Sequence, residues 1–318
     1  MKLQFLHQGT EQRRELILHG SALSTLMMLS LPTLMMSVIQ ALLPLSDGLF
    51  VNNAAGTLVA SAVTYCGPVI NMMISLAQGI SVAAMAIIGQ ANGQGNFERV
   101  KHISTQVVVF ASAVGLCVAP LSALAAFPVS ANVDPEISHD VFLYISLYAF
   151  VLPFSFLESI YNAIKNATGK PEATFIRMLL LLMLKILFNF VFIVFMSLKI
   201  VGCILSSLCS NVLICVWMFY ELFVKEGEDK LSLQGFRFDR DLIRQLIKVG
   251  GPAMLASLMM NLGFFLINHE TQKYGAVVLN GQGIANNITE VCFNLPAAFG
   301  SAVTTMVSIN IGARQPSN

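Results

Sequence analysis

Charge is scarce in this sequence. Asp, Glu, Lys and Arg make up 11% of 318 residues against 56% hydrophobic residues, and mean hydropathy is +0.73. A soluble core of this length cannot hide so much apolar surface, so the composition excludes a water-soluble globular domain and points to the lipid bilayer as partner. A net charge of +1 is far from the concentrated basic excess that phosphate binding needs, and no nucleic-acid partner is expected. The six cysteines (Cys66, Cys117, Cys203, Cys209, Cys215, Cys292) sit in or beside apolar runs with no CxxC pair, which makes them small packing residues. There is no HExxH, GxSxG or GxxxxGK[ST]. The five histidines are scattered, so neither an enzyme, a metal centre nor a cofactor is expected. The polar N-terminus, MKLQFLHQGTEQRRELILHG, lacks the apolar stretch and cleavage site of a signal peptide, and the first span is expected to remain.

Long apolar runs are what the chain does have. They recur at about 22–51, 57–89, 103–128, 141–164, 173–198, 200–224, 246–270 and 277–311, eight candidate spans of an all-α polytopic helix bundle. Fifteen of the 18 Lys and Arg residues fall in the N-terminus, the second, fourth and sixth loops and the tail, with Arg177 counted in the fourth loop. Only Lys199 and Lys273 fall on the opposite side, and Lys185 lies within a span. By the positive-inside rule both termini are cytoplasmic. The basic sixth loop divides the chain into a six-helix lobe (1–224), a connector (225–248) and a partial second lobe of two helices (249–318). Residues 238–249 have helical apolar spacing, consistent with a surface-lying segment or with the solvated approach to the next span. Sliding the chain by about 220 residues brings Pro32 onto Pro252, Gly56 near Gly275 and Gly79 near Gly300, an internal repeat of the kind found in transporters.

Polar groups inside the spans are costly and therefore informative. Asp47 is the only ionisable residue in Leu26–Val51, and it either lines a cavity where ions pass or marks the helix exit. Lys185 lies eight residues, ~12 Å, beyond Arg177, too deep to snorkel. Glu158, seven residues or ~10 Å beyond Lys165, stands at the same depth on a straight-helix ruler, whereas Asp47 stands nearer the outer face. The expected pairs are thus Glu158 with Lys185, and a more open Asp47 with Asn189. Should Lys185 reach Asp47 instead, its ammonium would take the place of a metal cation and disfavour sodium, and proton coupling would require the lysine to move away. A permanent ion pair that only fixes helix register is the structural alternative. Asn71, Gln78, Asn162, Asn211, Asn261 and Glu290 are candidates for interhelical hydrogen bonds or a substrate cavity.

Four stretches resemble the multidrug and toxic compound extrusion transporters: LSDGLFV at the end of the first span, AQGISVAAMAIIGQANGQGNFERV, NAIKNATGKPEATF, and GGPAMLA with NIGAR in the partial repeat. The resemblance implies two six-helix lobes around a V-shaped cavity in a bacterial inner membrane, exporting organic cations or amphipathic drugs against entry of a proton or Na+. It also implies that Asp47 is the cation-coupling acid, with Na+ possible there and with Lys185 and Asn189 opposite. The chain departs from the pattern in Lys185, which replaces a neutral residue, in Asn261 near the place of a second acid, and in the incomplete second lobe. The alternatives are a lipid-linked saccharide flippase of the same superfamily, or a truncated non-transporting fragment whose missing C-terminal half another polypeptide supplies.

Overall fold

The computed structural model describes residues 10–227 and 229–314, apart from the side chains of Val291 and Phe293. Among these residues every regular element is helical. A short α1 (Thr10–His19) precedes α2 (Ala22–Phe50), α3 (Thr57–Gly93), α4 (Phe97–Ala131), α5 (Pro135–Tyr148), α6 (Leu152–Ala167), α7 (Pro171–Asn189), α8 (Lys199–Phe219), α9 (Arg240–Thr271) and α10 (Ala276–Gly312). Wider π-type turns extend α2, α7 and α8 at Val51–Ala55, Phe190–Phe195 and Tyr220–Val224. Seven helices are long and apolar enough to cross a bilayer, and an eighth crossing is made if the bent pair α5 and α6 counts as one.

That pair replaces the single fourth span expected over 141–164. The two helices meet at 55°. Pro153 has no N–H to offer the Ala149 carbonyl and disfavours helical backbone at Leu152, so the ladder is interrupted there. Local signals set the other boundaries. The Asp134 carboxylate accepts from the Glu136 N–H ahead of Pro135, the Asn96 side chain accepts from the Arg99 N–H, and Pro171 opens α7. Asp239 accepts from the Asp241 and Leu242 N–H groups and starts α9, which runs unbroken to Thr271. Residues 240–249 are therefore the first turns of a spanning helix, and the surface-lying alternative for this stretch is not adopted.

The internal repeat is visible in the backbone. α3 and α10 each have 37 residues, and each follows a glycine of nearly identical conformation, Gly56 at φ 99° and Gly275 at φ 97°. Positive φ of this kind is available to glycine at no steric cost, which is why the same residue recurs at both corners.

α3 lies between α9 and α10, touching both along most of its length. The contact is backbone to backbone in places: a Cβ on Gly250 would collide with the Gly79 carbonyl, one on Gly93 with the Ile309 carbonyl, and one on Gly312 with the Gln90 carbonyl. Small residues at these crossings let helices approach where lipid offers no hydrophobic drive for association.

The basic ends of the spans gather at one end of the bundle, where α1 staples them. The Arg14 guanidinium donates to the Gly93 carbonyl at 3.0 and 3.1 Å, capping the C-terminus of α3. Arg13 pairs with Glu172 at 2.5 Å, and Thr10 donates to Asp229, which also pairs with Lys170. The connector is held to α4 by Gln106, which donates to the Arg237 carbonyl at 2.5 Å and accepts from the Asp239 N–H at 3.2 Å. Burial pushes the Asp229 carboxyl up, but the Lys170 ammonium and the bonds from Lys170 and Thr10 outweigh it and hold the group below its ordinary 3.8. A depressed carboxyl contributes stability that is complete above its unfolded value and is lost as pH falls through the folded one. Asp229→Asn is therefore expected to lower stability by about 0.5–1 kcal/mol at neutral pH, a screened figure for a partly exposed pair. Thermal unfolding should show the gap between the two chains closing below about pH 4.

Two apolar clusters form the core. One, near the basic end, includes Ile88, Ile103, Ile164, Leu181 and Ile214. The other, towards the opposite end, includes Ala62, Tyr65, Val141, Phe156, Ile193 and Ile204. On α7 the stretch between Leu181 and Ile193, and on α8 that between Ile204 and Ile214, fall between the clusters. The polar side chains lie at that level.

Candidate functional site

Residues 177, 181, 185 and 189 recur at four-residue spacing and so share one face of α7. That face is buried. It carries Arg177, Leu181, Lys185 and Asn189 toward the protein interior, while Leu187 and Phe190 face outward. Opposite it, α8 presents Ser206, Ser207, Ser210 and Asn211, all buried.

Asp47 enters this space from α2. Its Oδ2 lies 2.7 Å from Lys185 Nζ, and its Oδ1 accepts from Asn189 Nδ2 at 2.6 Å. Lys185 also donates to Ser207 Oγ at 2.7 Å, and Ser206 Oγ donates to the Lys185 carbonyl at 3.3 Å. The ammonium is 8% exposed and the carboxylate 22%, so the pair sits in a poorly solvated place. At an effective dielectric of ~20, opposite unit charges at this separation attract by about 6 kcal/mol. Tyr144 and Tyr148 of α5 and Cys203 of α8 lie within electrostatic reach of Asp47.

The expected Glu158–Lys185 pair is not formed. Glu158 Oε2 instead takes Arg177 Nη1 at 2.8 Å, and Arg177 Nε donates to Asn162 Oδ1 at 3.0 Å. Arg177 is 1% exposed, so it is no loop residue: α7 begins at Pro171 and places it in the second turn, at the depth of Glu158. The straight-helix ruler also set Asp47 too far out. At 1.5 Å per residue the 29-residue α2 is longer than a ~30 Å hydrocarbon layer, so residues counted along it do not measure depth. Asp47 lies within α2, not beyond its last turn, and the helix continues through Val51–Ala55.

The remaining candidates separate into groups. Gln78 and Asn261 meet at the α3–α9 contact, where Ser257 Oγ donates to Gln78 Oε1 at 2.5 Å and Asn261 Nδ2 donates to Ser75 Oγ at 3.4 Å. Asn71 is exposed and Glu290 half-buried, and Asn211 bonds within α8 to the Ser207 carbonyl at 2.7 Å. Sequence reasoning missed Ser207 and Arg177 as members of the buried polar seam. It also missed a third buried pair nearer the basic end, Lys165 with Glu221 at 2.7 Å, to which Tyr161 donates at 2.5 Å. The four-residue spacing from Lys185 back to Arg177 was the available signal for one of these.

The oxygens around Asp47 suit a small hard cation. The Asn189 Oδ1 is buried without a hydrogen-bond partner, and it stands beside the Asp47 carboxylate and, through Lys185, the Ser207 hydroxyl. Sodium and a proton are both chemically compatible with such a donor set, but the Lys185 ammonium already occupies the position opposite Oδ2. No cluster of three or more His, Cys, Asp or Glu with metal-ligand geometry occurs among the described residues.

The fold and this buried ionisable site define a multi-pass helical membrane protein with a lysine-neutralised carboxylate between its first and fifth spans. Its sequence matches the MatE family model over residues 32–191 and 252–318, and the chain belongs to that family. It is 22% identical over 295 residues to the probable multidrug resistance protein YoeA of Bacillus subtilis, covering 89% of this chain and 63% of that one. It is 23% identical over 273 residues to the multidrug export protein MepA of Staphylococcus aureus, covering 83% and 59%. The chain thus spans about three-fifths of the length of these curated relatives. Among solved structures, a MOP superfamily transporter from Pyrococcus furiosus superposes with a TM-score of 0.84 at 22% identity, over 94% of this chain and 67% of that one. An outward-facing multidrug resistance MATE family transporter gives the same TM-score, identity and coverage. The MATE fold follows from these superpositions.

Proposed function

We propose that the chain is a secondary active exporter of organic cations or amphipathic compounds, coupled to a proton through Asp47. The observation that carries this reading is the Asp47 carboxylate held between Lys185 at 2.7 Å and Asn189 at 2.6 Å. An acid at membrane depth is retained where its ionisation does work. A proton added to Asp47 removes its negative charge and releases Lys185, which keeps its bond to Ser207. Protonation thereby removes the ionic part of the α2–α7 tie, leaving the Asn189 bond, and gives proton entry a means of biasing helix arrangement. Sodium would have to displace a tethered ammonium to reach the same oxygen, which favours the proton. Multidrug export in the named relatives supports the cargo class, and Glu290, Gln78, Asn71, Asn162 and Asn261 are the polar groups offered to a cationic substrate. In this reading residues 1–224 form a six-helix lobe, 225–248 a cytoplasmic connector and 249–318 part of a second lobe. The Lys/Arg-rich end faces the cytoplasm of a bacterial inner membrane.

The test is export of a fluorescent organic cation from vesicles containing the chain. An imposed proton gradient is expected to drive it, and Asp47→Asn to lower the rate at least tenfold, about 1.4 kcal/mol. Export that survives Asp47→Asn, runs on a sodium gradient alone, or is absent from the parent chain contradicts the proposal.

A further inference from the structure

We infer that His269 is a second proton-binding site, remote from Asp47, at which protonation unlatches the C-terminal end of α9 from the turn between α4 and α5. His269 lies near the C-terminal end of α9, half-buried against Phe265 and Tyr65, with ring centroids at 6.2 and 6.4 Å. Tyr65, on α3, has no exposed surface. Its hydroxyl lies 3.0 Å from His269 Nδ1, and Gln272 Nε2 lies 2.9 Å from the same nitrogen.

The surrounding bonds fix the tautomer. The Asp134 N–H donates to Gln272 Oε1 at 3.1 Å, so the carboxamide can only be oriented with its nitrogen toward His269, and that nitrogen donates as well to the Asn132 carbonyl at 3.3 Å. Since Gln272 Nε2 can only donate, His269 Nδ1 must accept. The Tyr65 hydroxyl then donates to the same lone pair, and the ring proton resides on Nε2. Only neutral imidazole satisfies this arrangement. A proton on Nδ1 sets N–H against N–H at Gln272 and converts Tyr65 from donor to acceptor. The Tyr65 bond survives with its direction reversed, but Gln272 must swing its carboxamide away or flip it to meet the imidazolium, and either move gives up the bonds to Asn132 and Asp134 that tie the end of α9 to that turn. The bond from Asn268 Nδ2 to the Thr64 carbonyl, at 2.8 Å, is left as the neighbouring tie.

The other charged groups facing this site are committed elsewhere. Glu270 and Lys273, on the same segment, pair with each other at 2.8 Å. The Asp134 carboxylate caps the Glu136 N–H, and Asp140 of α5 acts on Cys66. The α10 turns that follow, Ala276–Thr289, carry no ionisable residue. In the orientation proposed above the latch faces the outside, where it would sense external acidity independently of coupling at Asp47.

Paired spin labels at Glu136, in the first turn of α5, and at Tyr274, both exposed, in a cysteine-free form of the chain test this. One short distance is expected at alkaline pH. A longer one should appear as the pH is lowered, with the closed fraction dropping on the order of tenfold. His269→Gln, which cannot take up the proton, is expected to abolish the response, and Asp47→Asn to leave it intact. A pH-independent distance in the parent chain overturns the inference. So does a response that survives His269→Gln or is lost with Asp47→Asn. None of these readouts requires export, so a failed export assay and a failed latch are separately visible.

Discussion

Replacing Lys185 by methionine is expected to create a sodium site where the parent chain has none. The substitution keeps the side chain's length and removes its charge. Asp47 then loses about 6 kcal/mol of attraction in a poorly solvated setting, and its carboxylate keeps as neighbours the Ser207 hydroxyl, freed of the lysine, and the Asn189 side chain with its partnerless Oδ1. Two neutral oxygens beside a half-buried carboxylate offer a monovalent cation ligands that they cannot offer each other. Exchanging potassium for sodium should raise the melting temperature of the Lys185→Met chain by about 2–4 °C, roughly 1 kcal/mol. The parent chain should not respond. A sodium response of equal size in both chains would show that the lysine does not exclude the ion, and no response in the variant would show that the oxygens do not form a site.

The second large effect concerns Glu158. Arg177 is 1% exposed and bonded to Glu158 and Asn162. Glu158→Ala leaves a guanidinium buried without its counter-ion, which costs about 3–5 kcal/mol. Removing both charges as Glu158→Leu with Arg177→Met restores most of that, because buried pairs gain little over apolar residues of similar volume. Denaturation of the parent, Glu158→Leu, Arg177→Met and the double variant gives the coupling directly. Were the single and double variants equally unstable, Arg177 would be doing something other than neutralising Glu158.

Much of the architecture was legible from the apolar runs because bilayer thickness dictates span length. Seven of the eight expected spans are single helices, and the eighth is broken at Ala149–Val151 next to Pro153. Asp47, Lys185 and Asn189 were recognisable as a group because ionisable and carboxamide side chains stand out in apolar sequence. The expected bond between Asp47 and Asn189 is formed, but Lys185, expected to pair with Glu158, pairs with Asp47. Residue counts along a helix give distance along its axis, and α2 is too long to run straight across a bilayer, so Asp47 seemed remote from Lys185 and Glu158 seemed near. Arg177 was misplaced for a related reason. A cation six residues into a helix reads as a loop charge until the neighbouring helix is seen to bring a carboxylate to it. Ser207 could not be singled out, since serines in helices ordinarily bond back to their own backbone, as Ser30 does to the Leu26 carbonyl at 2.6 Å.

The glycine crossings on α3 limit the kinds of movement open to the bundle. Where Gly79 meets Gly250 and Gly93 meets Ile309, no cushion of side-chain atoms separates the two main chains. Such a joint tolerates a helix swivelling about the point of touch, much as crossed rods roll on each other, but its dispersion contacts are lost after a gap of less than an ångström. α3 therefore offers a fulcrum: α9 and α10 can rock against it while the crossings nearest the Lys/Arg-rich end stay closed, and the far ends travel furthest.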